Sequence, residues 1–168
     1  MFIKSLMLLA SFCCLLGCQE DLMPESDADN RQRGPFVVDD FTANLNTEQD
    51  YSLSERLNNY DGIVLYFTMW CPVCDNHMQL LRSDFVAQYP NVDFVLVDYV
   101  SASAASSRTT QLNNGYRDFN VISDSDDNLE NVLDGAMARV VLIDKNFTVV
   151  FSELFKNHLD LAAAIEGL

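Results

Sequence analysis

The sequence predicts an α/β domain: a central mixed β-sheet flanked by helices. Five stretches carry that prediction. Ile63-Val64-Leu65-Tyr66-Phe67 is an apolar run of strand length, rich in β-branched and aromatic residues. It leads into 75–89, where Met78, Leu81, Phe85 and Val86 recur at helical spacing, and then into a second strand-like run, Phe94-Val95-Leu96-Val97. Strand, helix, strand in that order implies a parallel crossover. Val140-Val141-Leu142-Ile143 and Val149-Val150-Phe151, separated by Asp144-Lys145-Asn146-Phe147, read instead as an antiparallel hairpin.

A chain of 168 residues with 49% apolar and 11% aromatic residues has enough material for one domain's core plus appendages. Its formal charge is −15. Phosphates would be repelled, which argues against nucleic acid and against electrostatic docking on anionic lipid. Proteins and small molecules are the partners left.

From the N-terminus, Lys4 precedes an apolar run from Leu6 to Leu16 that is short for a membrane span and closes on Leu15-Leu16-Gly17-Cys18. This resembles a bacterial lipoprotein signal, with Leu16 an unusual residue at its position. The alternatives are an ordinary secretory signal and an N-terminal anchor; each places the rest of the chain outside the cytoplasm. Under the lipoprotein reading, cleavage removes residues 1–17 with Cys13 and Cys14, and Cys18 is lipidated. Only Cys71 and Cys74 then remain as free thiols. The removed segment carries one charge, Lys4, so the mature charge becomes −15 − 1 = −16. By resemblance to lipoprotein sorting, Gln19 after the cysteine leans towards the outer membrane. Residues 18–34 are polar and acidic with no apolar periodicity, a flexible tether holding the domain about 20–25 Å from the membrane on average.

The domain follows over 35–168. A short strand is expected at Phe36-Val37-Val38 and a helical turn from Leu53 to Leu57, before Asp61-Gly62 turns the chain into the Ile63 strand. Pro90-Asn91 stops the helix over 75–89. Ser101 to Asn114 has poor helix propensity because of its repeated Ser and Thr, yet a crossover helix is what the expected fold needs there. Leu159 to Leu168, with Leu161, Ala162 and Ile165 on one face, is a terminal helix.

The chemistry sits where the Ile63 strand meets its helix, at Trp70-Cys71-Pro72-Val73-Cys74. Pro is favoured at the first helical position, so Pro72 puts Cys71 at the helix start, where unpaired N–H groups and the dipole stabilise a thiolate. Cys74, three residues on, returns to the same face about one turn deeper, within reach of a mixed disulfide on Cys71. Cys71 is therefore the expected nucleophile and Cys74 the resolving thiol. A Cys-x-x-Cys pair can also be half of a zinc site or two unrelated core cysteines. Four zinc ligands would require His77, His158 or carboxylates to join the pair.

Trp-Cys-x-x-Cys after an apolar strand resembles the thioredoxin superfamily, and the flanking sequence resembles its TlpA/ResA-type redoxins. The resemblance covers about Pro35 to the end. It implies a thioredoxin-like three-layer fold with an N-terminal redoxin extension at 35–41 and 51–59. It also implies a short strand and acidic turn within 115–127 and a helical turn at 129–133. Trp70 would lie over the disulfide, or serve as a core tryptophan.

Three departures stand out. TlpA-type sequences carry Gly-x-Pro-Thr before their Leu-Ile-Asp, with a cis-proline facing the cysteines; this chain reads Gly135-Ala136-Met137-Ala138-Arg139, placing Ala138 at the proline position. A cis peptide without proline costs about 3–4 kcal/mol, so a trans Met137–Ala138 bond and a reshaped loop are expected. Thr68-Met69-Trp70-Cys71-Pro72 also resembles the Thr-x-x-Cys-Pro of peroxiredoxins, with Arg139 a candidate for their arginine. An ordinary strand residue is the other reading of Thr68. His77 stands where TlpA-type sequences often carry glutamate; it could tune the thiols or join Cys71 and Cys74 as a copper or zinc ligand, or be a partly exposed helix residue.

The expectation is a lipid-anchored extracytoplasmic thiol–disulfide oxidoreductase that reduces protein disulfides and is recharged by a membrane thiol reductant. No cofactor beyond the Cys71–Cys74 disulfide is expected. A peroxiredoxin-like thiol peroxidase and a metal-binding module are the alternatives. The acidity, including Asp75 beside Cys74, opposes the thiolate stabilisation on which strong oxidants depend.

Overall fold

The computed structural model describes residues 35–156 and 158–168. The signal-like segment, the tether and Cys18 lie outside the described residues. Among the described residues, eight strands and six helices follow in order: β1 (Phe36–Val37), β2 (Thr42–Asn44), β3 (Asp50–Ser52), α1 (Leu53–Leu57), β4 (Gly62–Thr68) and α2 (Pro72–Leu80). After a π-helical turn (Leu81–Phe85) come α3 (Val86–Gln88), β5 (Val92–Asp98), α4 (Ala104–Asn113), β6 (Asn120–Ser123), α5 (Asn128–Leu133), β7 (Arg139–Asp144), β8 (Thr148–Leu154) and α6 (His158–Glu166).

Six strands form one sheet in the order β1-β8-β7-β4-β5-β6. β4 runs parallel to β5 and β5 to β6, while β7 is antiparallel to both β4 and β8. The sheet is mixed, as the sequence predicts. Every residue of β4 and β5 is buried, which explains why both read as continuous apolar runs rather than alternating ones.

Side-chain alternation along β4 divides the core in two. Val64 and Tyr66 face a cluster with Cys74, Met78, Leu81, Phe85, Phe155, Leu161 and Ile165, which seats α2, the π turn and α6 on one face. Ile63, Leu65 and Phe67 face the other way, towards Tyr51, Leu53 and Leu57 of the N-terminal extension and Leu129 and Leu133 of α5.

Two details depart from the sequence reading. β2 and β3 pair as a small antiparallel sheet within the extension, a feature the sequence does not signal because neither strand exceeds three residues. The helix over 75–89 is interrupted by the π turn, which inserts one extra residue and still buries both Leu81 and Phe85. α4 forms despite its propensity. Its buried residues are polar: Gln111 donates to the carbonyls of Tyr116 and Phe119, each at 2.8 Å, and accepts from Asn46 at 2.9 Å. Ser103 caps its first turn through the Ser106 N–H.

Candidate active site

Two loops meet at the C-terminal end of β4. The first begins at Thr68, whose hydroxyl accepts the Trp70 N–H at 3.0 Å. Trp70 adopts a left-handed backbone with φ at 59°, a conformation that strains a bulky residue by about 1–3 kcal/mol. That turn reverses the chain so that Cys71 is the N-cap of α2, with Pro72 at the first helical position. The Cys71 sulfur takes the place of a capping oxygen, accepting the Cys74 N–H at 3.3 Å.

The two thiols are 2.9 Å apart, Sγ to Sγ. Both are free; Cys71 is half-buried and Cys74 is fully buried. Burial opposes ionisation of Cys74. Hydrogen bonds from the Cys71 thiol, from the Met69 and Cys71 backbone and from the Thr68 hydroxyl outweigh it, so Cys74 ionises below an ordinary thiol.

The second loop runs from Asp134 to Ala138. Ala138 is left-handed, with φ at 64°. Its N–H donates to the Phe67 carbonyl at 3.0 Å and its carbonyl accepts from Phe155 N at 2.8 Å, stitching the loop between β4 and the segment after β8. The Met137–Ala138 peptide is trans. Met137 is left projecting, 43% exposed, with its thioether sulfur 3.7 Å from the Cys71 sulfur. Gly135 lets this loop close: a Cβ there would collide with the Phe67 ring.

Trp70 packs on Tyr116 with ring centroids 6.4 Å apart. The Tyr116 hydroxyl bonds both the backbone carbonyl and the carboxylate of Asp75, and the Arg82 guanidinium covers its ring at 4.5 Å. Tyr116 therefore fixes the start of α2 from outside the helix.

Beneath the thiols, the Tyr66 hydroxyl is 3.1 Å from Nδ1 of His77. Burial, then the charge of Cys74 and a hydrogen bond to it, hold Tyr66 well above the usual phenol range. The His77 ring stands edge-on to Phe155 at 5.0 Å, and burial pushes its pKa below the usual imidazole value. Neither Tyr66 nor Tyr116 carried a signal in the sequence beyond the general need of a buried tyrosine hydroxyl for a partner.

The structure thus gathers Cys71, Cys74, Thr68, Trp70, Pro72, Met137 and Ala138 around one sulfur pair. Thr68 serves the Trp70 backbone and Cys74. Arg139 is buried in β7, with an ion pair to Asp134 at 3.8 Å; by alternation it shares a face with Val141, away from the Cys74 cluster. Among the described residues no group of three or more His, Cys, Asp or Glu is arranged to hold a metal ion. His158 is exposed at the start of α6. A cleft of about 630 Å³ lined by residues including Asp61, Tyr89, Lys145 and Leu168 opens at the other end of β4, remote from the thiols.

A mixed sheet of this order, carrying a Cys-x-x-Cys pair at the N-terminus of the helix after its central strand, defines a thioredoxin-like α/β protein. The chain belongs to the Redoxin family, whose model matches residues 32–164. A thioredoxin-like protein from Aeropyrum pernix superposes with a TM-score of 0.62 at 17% identity, over 77% of this chain and 89% of that one. A secreted Mycobacterium tuberculosis disulfide oxidoreductase homologous to E. coli DsbE gives 0.56 at 19%, over 76% and 96%. Peroxidoxin BcpB from Mycobacterium tuberculosis gives 0.62 at 19%, over 81% and 97%. At these identities the likeness establishes the fold. No curated protein matches the chain.

Proposed function

We propose that this protein is an extracytoplasmic thiol–disulfide oxidoreductase that reduces disulfides in other proteins, anchored through lipid on Cys18 on the periplasmic side, with the outer membrane favoured. The observation that carries the redox reading is the asymmetric pair: a half-buried Cys71 sulfur at a helix N-cap with a buried Cys74 sulfur 2.9 Å away. One sulfur can meet a substrate and the other can only meet its neighbour. The secreted disulfide oxidoreductase among the structural relatives supports the same reading.

The Cys71 thiolate attacks one sulfur of a substrate disulfide, forming a mixed disulfide and releasing the other substrate sulfur as a thiolate that takes a proton. Cys74, deprotonated, then attacks the Cys71 sulfur. The Cys71–Cys74 bond forms, the bond to substrate breaks, and the substrate leaves reduced by two electrons in total. A membrane thiol reductant returns those electrons to the pair. The reducing direction rests on the charge of −15 and on Asp75 next to Cys74, which work against the thiolate stabilisation on which strong oxidants depend.

The test is thiol trapping of the purified protein across glutathione and dithiothreitol buffers, with metal content measured on the same sample. A reversible two-electron transition at a potential below about −180 mV is the expected result. A potential near −120 mV, the range of strong oxidants, would reverse the direction. Thiols locked by a stoichiometric metal, or overoxidised without forming a disulfide, would overturn the exchange reading.

A further inference from the structure

Met137 is held in a position that neither step of the exchange uses. The Ala138 N–H is tied to the Phe67 carbonyl and its carbonyl to Phe155, while the Arg139 N–H closes back on the Ala136 carbonyl at 3.0 Å. With its loop pinned on both sides, Met137 projects beside Cys71, thioether sulfur 3.7 Å from the thiol sulfur. The side chain is also 43% exposed. A thioether is a weak hydrogen-bond acceptor, so this contact does little to hold the Cys71 proton.

We propose that Met137 is an oxidation site, at which hydrogen peroxide installs a sulfoxide that slows the Cys71 thiol beside it; its effect on turnover rests on the exchange reading above. The sulfur lone pair attacks one peroxide oxygen and the O–O bond breaks. That oxygen stays on sulfur, its proton passes to the departing oxygen, and water leaves. The thioether is oxidised by two electrons and the peroxide reduced by two. A sulfoxide oxygen is a strong acceptor and the negative end of its dipole. On Met137 it stands against Cys71, takes its S–H and opposes the thiolate.

The neighbouring sulfurs decide when this happens. In the reduced pair, peroxide meets the Cys71 thiolate first; the sulfenic acid formed there condenses with the Cys74 thiol to a disulfide and water. Both thiols are then spent, and Met137 is the sulfur beside them that peroxide still reaches. Met78 of α2 is 1% exposed and shielded. Met69 is as open as Met137, at 42%, and supplies an internal comparison. Both should oxidise, while the effect on Cys71 belongs to Met137, whose sulfur touches it. Reopening the disulfide does not remove the sulfoxide; that takes a methionine sulfoxide reductase. A spell of peroxide would therefore outlast the disulfide it forms.

The test starts from purified protein in its disulfide form. It is treated with hydrogen peroxide, cleared with catalase, reduced with dithiothreitol and freed of reductant. Alkylation of Cys71 by iodoacetamide is then timed, and peptide mass spectrometry locates each added oxygen. The expected result is an oxygen on Met137 and Cys71 alkylation slowed about fivefold. Treatment with the two epimer-specific methionine sulfoxide reductases should restore the rate. Met69→Leu should be slowed by the same factor, whereas Met137→Leu, compared with its own untreated sample, should keep its rate.

Met137 left unoxidised would overturn the proposal, as would an oxidised Met137 with Cys71 unchanged. Equal slowing in Met137→Leu, or slowing that the reductases do not reverse, would assign the effect to other damage and overturn it too. Alkylation needs no disulfide exchange, so these outcomes stand apart from the exchange reading. That reading fails instead if untreated protein does not turn over a disulfide substrate.

Discussion

Cys71 and Cys74 are the same side chain three residues apart, and almost nothing around them is alike. Cys71 caps a helix with its sulfur, meets solvent and touches a flexible thioether. Cys74 is sealed in the core among Tyr66, Met78 and Phe155, its sulfur 2.9 Å from that of Cys71. Helix geometry alone makes this division: one turn carries a residue from the N-cap to the sheet-facing side. In the proposed exchange, the order of reaction is set by position rather than by the chemistry of either thiol.

The largest test of that contrast exchanges each sulfur for oxygen. Cys71→Ser should abolish turnover and leave no covalent adduct with disulfide substrates. Cys74→Ser should also abolish turnover but accumulate a mixed disulfide on Cys71, seen by mass spectrometry without reductant. Adducts on Cys74 in the Cys71→Ser protein would invert the assignment.

Next in size is the loop that faces Cys71. Ala138 needs a positive φ and donates its N–H to Phe67, and proline offers neither. Ala138→Pro should therefore cost about 3 kcal/mol or more in denaturant unfolding, whereas Ala138→Gly should stabilise by up to about 1 kcal/mol. A proline variant as stable as the parent would show that the loop can adopt a second arrangement.

A smaller effect is expected at Met137. Its sulfur contact is with Cys71, so Met137→Ala should change the rate of Cys71 alkylation by about two- to threefold and leave that of Cys74 untouched. Equal effects on both thiols would show that the loop reports on the whole pair.

The gentlest probe is pH. Burial depresses the folded-state pKa of His77, so the unfolded chain takes up a proton first as pH falls. Stability is then fully present above the unfolded imidazole value of about 6.5 and declines towards the lower folded value. Melting temperatures of His77→Gln should fall less between pH 7 and 5 than those of the parent.

Much of this was legible beforehand. The runs at Ile63 and Phe94 and the hairpin at Val140 are long and apolar enough to announce a mixed sheet, and Pro72 fixes the helix start without ambiguity. What stayed hidden depends on contacts distant in sequence. α4 is anchored by Gln111 on carbonyls of the following loop and on Asn46, so its composition says little about its stability. The sequence offers Arg139 as a candidate peroxide ligand but does not show that it is buried in β7 beside Asp134. Tyr66 reads as one more apolar strand residue until α2 brings His77 against its hydroxyl.

The π turn at Leu81–Phe85 has a consequence for how this chain would be aligned and edited. Such a turn is a regular helix holding one surplus residue, so a relative without it would show a one-residue gap there and nowhere else in the helix. Deleting Leu81 should let the helix run on as α, turning everything after it by about 100°. Phe85 would swing off its stack with Phe94 and Phe155, and Arg82 would lose its place over Tyr116. A deletion two turns from the sulfurs would thereby loosen the tyrosine that steadies the first turn of α2.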